Sequence, residues 1–105
     1  MSAKKQTVSV GRMTIDRSRE IKAVFIDLLS GSGEAVLDFE KTEEIDLAGI
    51  QLLVALFREA TQKGVTLRCR GRLNDRVISR LRIFGLCDEA CGTAEGLGET
   101  LGSLF

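Results

Sequence analysis

The 105-residue chain has no histidine, proline, tryptophan or tyrosine. Without histidine there is no Ser/His/Asp or Cys/His nucleophile, no imidazole base and no His-containing zinc site. Nucleotide hydrolysis through a phosphate-binding loop is excluded as well, because Gly31-Ser32-Gly33 lacks the Lys and Ser/Thr that such a loop supplies. Aromatic residues are limited to five phenylalanines, most of them on apolar faces, which leaves no stacking platform for nucleic acid. The longest apolar run, residues 52–57, is far short of the roughly 18–20 residues of a membrane span. Residues 1–10 are polar and mixed, without the apolar core of a secretory signal. The expectation is a cytoplasmic chain without membrane insertion.

Three cysteines are present: Cys69, Cys87 and Cys91. An odd number in a chain of this kind points to reduced thiols rather than a disulfide framework. Cys87 and Cys91 can reach one ion, but a structural zinc site needs four ligands and only Cys69 adds a third. Buried or incidental thiols are the simpler reading, and neither metal nor cofactor is expected.

The length and the 44% hydrophobic content fit one globular domain, residues 1–105, with a core that needs no staples. Its zero net charge hides a segregation. Residues 34–46 hold six acids and one base, residues 58–82 eight bases and two acids, and residues 88–105 four acids. Gathered on one surface, the arginines would suggest nucleic acid. The acidic segment and the neutral total favour solvated faces instead, and no nucleic acid is expected.

Thr7-Val8-Ser9-Val10 alternates like a strand, and Gly11-Arg12 turns it towards Met13-Thr14-Ile15. Asp16 or Ser18 then caps a helix striped by Ile21, Val24, Phe25 and Leu28 and stopped at Gly31. Ala35-Val36-Leu37-Asp38-Phe39 reads as a central strand. Asp46 caps the strongest helix, whose apolar face is Leu47, Ile50, Leu53, Val54 and Phe57 and whose end is Gly64. Thr66-Leu67-Arg68-Cys69-Arg70 alternates with Leu67 and Cys69 inward. Asn74 caps a third helix, with Val77, Ile78 and Leu81 inward and Gly85 beyond its end. Residues 92–102 carry four of the eleven glycines, so Leu97, Leu101 and Leu104 make only a weak terminal stripe. Strands alternating with helices predict an α/β sandwich with a mixed or mostly parallel sheet of about four strands.

The turn before the second helix carries the functional signal. Free amides and the positive end of the helix dipole suit an anion, a phosphorylated side chain or a partner's carboxylate, and Gly49 permits close backbone approach. The plainer reading is that Asp46 caps and Gly49 packs.

Ile45-Asp46-Leu47-Ala48-Gly49-Ile50-Gln51-Leu52-Leu53 resembles the signature of STAS domains: a hydrophobe, Asp, Ser or Thr, Ser or Ala, Gly, then an apolar helix. The order of elements over residues 8–90 agrees. The resemblance is strongest to small bacterial types: anti-sigma-factor antagonists, chemotaxis-linked STAS proteins and the STAS subunit of lipid-transporting ABC complexes. It implies no catalysis. It implies a regulatory, signal-transducing module that binds an anti-sigma or serine-kinase-like protein, a chemotaxis-type regulator or a transporter ATPase. The implied docking residues are Asp46, Leu47, Ala48, Gly49 and Gln51, with Asn74 and Asp75 in the neighbouring turn. In antagonists the residue after the motif Asp is phosphorylated. Here that residue is Leu47, so the usual phosphoswitch is excluded at this position; Ala48 has no hydroxyl, and Thr42 is the nearest alternative. Leu47 either presents an apolar docking contact or folds into the core.

Overall fold

The computed structural model describes residues 4–30, 33–86 and 93–105. Cys87 and Cys91 lie outside the described residues. Five strands and four helices follow in the order β1 (Lys4–Ser9), β2 (Arg12–Met13), α1 (Ser18–Ser30), β3 (Gly33–Asp38), β4 (Glu44–Ile45), α2 (Leu47–Lys63), β5 (Thr66–Arg70), α3 (Asp75–Ile83) and α4 (Ala94–Gly102). One sheet has the order β1-β3-β5; β2 and β4 form a second, two-residue ladder. Both are parallel throughout. The predicted α/β class is therefore found, with β3 central as its continuous apolar content requires. The second ladder was not anticipated, since the acidic segment before Asp46 reads as loop.

The main sheet sends alternate residues to opposite faces. Ala35, Leu37, Phe39 and Cys69 turn inward and are at most 4% exposed. Leu37, Phe39 and Cys69 share one core cluster with Phe25 and Leu29 of α1 and Ile50, Leu53, Leu56 and Phe57 of α2. Removing these side chains from water is the main term holding the layers together, roughly 1.5–3 kcal/mol for each. On the opposite face Arg68 pairs with Glu34 at 3.2 Å and Arg70 with Asp38 at 3.6 Å. Two arginines of the basic tract are thus matched across strands rather than gathered into one basic patch.

The helix ends follow local chemistry. Asp46 accepts from the Gly49 amide at 3.0 Å and Asn74 from the Val77 amide at 2.8 Å, as N-cap side chains do. Gly64 closes α2 in the left-handed region at φ 71°, its N–H directed to the carbonyls of Ala60 and Thr61. Neither Asp16 nor Ser18 caps α1. A 3-10 turn over Ile15–Arg17 leads into that helix, and Asp16 instead accepts from the Thr14 hydroxyl.

Two apolar expectations are corrected. Val24 is 36% exposed and Leu29 takes its place in the buried stripe; Leu104 is 57% exposed, outside the α4 stripe of Ala94, Leu97 and Leu101. The glycine-rich terminal segment nonetheless builds a well-buried helix. Gly98 faces Cys69, where a Cβ would lie 3.4 Å from the Cys69 Cβ, an ordinary contact distance, so α4 packs directly on β5.

Burial pushes the Cys69 thiol up to about 12, with the charge of Glu95 adding to the effect. An unfolded thiol loses its proton near 9.0. Any stability linked to this group is therefore intact below pH 9 and falls as the pH rises further, because only the unfolded chain then releases the proton. In a Cys87→Ser/Cys91→Ser background, Cys69 is expected to ignore a thiol reagent at pH 8 and to react once denaturant is added.

Candidate partner-docking site

The signature turn is built by a clamp of short hydrogen bonds. The amide of Glu43 donates to Gly11 at 2.7 Å and that of Asp46 to Met13 at 3.0 Å, fastening β4 along β2. The carboxylate of Asp46 divides its two oxygens: Oδ1 caps α2 and Oδ2 accepts from the Ile15 amide at 2.9 Å. Asn74 forms the other half of the clamp. Its Oδ1 caps α3 while Nδ2 donates to the carbonyls of Thr42 and Glu43, both at 3.0 Å. Both predicted caps thus join elements about thirty residues apart.

Gly49 is buried beneath β2, where a Cβ would fall 2.0 Å from the Met13 carbonyl oxygen. Of the residues the resemblance assigns to docking, Gly49 is the one the fold turns inward; it allows α2 to touch the β2 backbone. Thr42 is also corrected. It is 4% exposed and its hydroxyl donates to the Val10 carbonyl at 2.6 Å, so it offers no accessible phosphorylation site.

Leu47, by contrast, is 49% exposed. Of the two alternatives for this residue, the fold selects the outward one. Gln51 lies one turn further along α2 and is also exposed, while Ala48 is half-buried. Asp75 is exposed at the start of α3.

Beside this turn an open groove of about 740 Å³ separates the β2–β4 layer from α3. Thr14, Asp16, Glu44, Ile45 and Asp46 line one side; Asp75, Arg76, Ser79, Arg80 and Ile83 line the other. Four carboxylates and two guanidinium groups thus share the groove lining. The Thr14 hydroxyl bond holds the Asp16 carboxyl below the usual carboxylate range, keeping it charged. Glu44 accepts from Arg12 at 2.6 Å, and this bond raises the guanidinium above its ordinary value. The start of α2 already holds its own carboxylate, Asp46, with Asp16 and Glu44 nearby. An added anion there would meet like charge, so the amide cradle expected for a phosphate or carboxylate is not what this end of the helix offers. The positive groups lining the groove are Arg76 and Arg80.

Sequence reasoning missed two apolar contributors, Ile15 at 71% exposed and Ile83 at 69% exposed. Ile15 is tied to Asp46 through its amide and Ile83 lines the groove from the last turn of α3. Their only sequence signal is an apolar residue falling outside the buried stripe. Ile83 thus lies in an open groove of mixed charge, while Ile15 and Leu47 are exposed next in the chain to its lining residues Thr14, Asp16 and Asp46.

No helix among the described residues is long and apolar enough to cross a membrane. The fold defines a small α/β domain with a parallel sheet. A family model described as "Mlab, STAS domain" matches residues 2–92, and the chain belongs to the STAS domain family, whose members are generally non-catalytic modules that bind other proteins. A comparison with curated proteins finds no match.

Proposed function

We propose that this chain is a non-catalytic docking module that holds its partner without a phosphorylation switch. The supporting observation is Leu47, half exposed where the resemblance places a phosphorylated hydroxyl and next in the chain to Asp46, which lines the groove together with Ile83. A leucine there supplies apolar contact area that cannot be converted into charge. The carboxylates on one wall suit basic groups of the partner, and Arg76 and Arg80 suit acidic ones.

Within this reading, an anti-sigma-antagonist-like regulator in the cytoplasm is the first assignment, with an anti-sigma or chemotaxis-type protein as partner. A second assignment, a subunit docked on the ATPase of a lipid-transporting ABC complex, is favoured by the same missing hydroxyl. A contact that phosphorylation cannot release suits a permanent subunit. Reconstitution with each candidate partner encoded beside the gene separates the two. Leu47→Asp is expected to weaken binding to the correct partner by about 2 kcal/mol, roughly thirtyfold, with an unchanged circular dichroism spectrum. Unaltered affinity would remove Leu47 from the interface.

A further inference from the structure

A second groove, sharing no residue with the first, runs between α1 and α2 with a volume of about 350 Å³. Phe25, Leu29 and Leu56 are its buried floor and Leu52 is half-buried at its side. On α1, Lys22, Ile26 and Leu29 recur at helical spacing; on α2, Leu52, Leu56, Glu59 and Lys63 do the same. The groove is the space between these two ridges.

Ile26 is 68% exposed on the lip of this apolar groove. It is a knob beside a hole. A two-fold axis converts that pair into a closed contact, each copy placing its Ile26 in the groove of the other. The rim has the same self-complementarity. It carries Lys22 and Lys63 together with Glu59, so a lysine of one copy has an acid to meet on the other. A fatty acid would find a lysine for its carboxylate but would also face Glu59. The groove is open along its length, whereas small-molecule sites enclose most of their ligand.

We infer that the α1–α2 face is a two-fold interface between copies of this chain, formed without occupying the Leu47 site. One knob-and-groove pair with a charged rim belongs to the weak class of interface, so assembly is expected in the micromolar range. Sedimentation equilibrium over that range tests it. The wild-type chain is expected to pass from monomer to dimer. Ile26→Glu is expected to weaken the dimer at least tenfold while its thermal midpoint stays within a few degrees of wild type. Glu59→Lys is expected to weaken it as well, and Glu59→Lys/Lys63→Glu to restore it. A wild-type chain that stays monomeric overturns the inference, and if that monomer binds a fluorescent fatty acid the groove belongs to an acyl chain. A dimer that survives Ile26→Glu but is lost in Leu47→Asp overturns it too, by placing the contact on the first groove.

Discussion

Gly49→Ala is expected to destabilise the domain by about 3 kcal/mol or more, lowering Tm by roughly 15 °C in a domain of this size. The added Cβ would stand 2.0 Å from the Met13 carbonyl oxygen and 2.8 Å from its carbonyl carbon. Both atoms are backbone, so no side-chain rotation relieves the contact. Relief requires α2 to move away from β2. That movement pulls on the Asp46 amide bond to Met13 and opens the packing around Met13, Ile50 and Leu53, all at most 5% exposed. Elsewhere in a helix interior, Gly→Ala stabilises by roughly 1 kcal/mol through propensity. The sign of the change therefore separates packing from propensity, and urea unfolding followed by circular dichroism reads it directly. A stabilised variant would show that α2 does not lie against β2.

The second large effect is expected at Asp46. Its carboxylate satisfies two backbone amides on different elements, Gly49 at 3.0 Å and Ile15 at 2.9 Å. Asp46→Ala removes both bonds and is expected to cost about 2–3 kcal/mol. Asp46→Asn distinguishes the two contributions. Asparagine caps helices about as well as aspartate, so the Gly49 bond survives. Its amide nitrogen, however, would face the Ile15 N–H as one donor facing another, and the variant is expected to lose about half as much stability as alanine. Equal stability of Asp46→Asn and wild type would mean that the Ile15 contact contributes nothing. The same clamp positions Ile15 beside the groove, so a weakened clamp should also reduce partner affinity.

Much of this arrangement is legible in the chain because it depends on neighbours in sequence. The apolar spacing of α2, the caps at Asp46 and Asn74 and the stop at Gly64 each involve residues within one or two turns. The parallel sheet follows from strands separated by helices. What was not legible depends on distant pairs. Glu44 and Ile45 become a strand only because Arg12 and Met13 lie beside them, and two residues give no periodicity to detect. Val24 and Leu29 differ in burial because of how α1 is rotated against α2, which the spacing alone leaves open within one position. Leu47, Ile15 and Ile83 present their apolar side chains to solvent, against the usual tendency, and Ile83 does so from the groove lining. The signature motif located Leu47; neither motif nor periodicity pointed to Ile15 or Ile83. Asn74 reads as a cap, but its bonds to the carbonyls of Thr42 and Glu43 appear only in three dimensions.

The central claim is that Leu47 and its surrounding groove hold a partner constitutively. Affinity purification of the tagged chain from its native host, comparing wild type with Leu47→Asp and Ile83→Asp, tests it most directly. One protein is expected to be retained stoichiometrically by the wild type, irrespective of phosphatase treatment, and lost from both variants while each remains folded. Retention of that protein by both variants, or its release from the wild type by phosphatase, would contradict it.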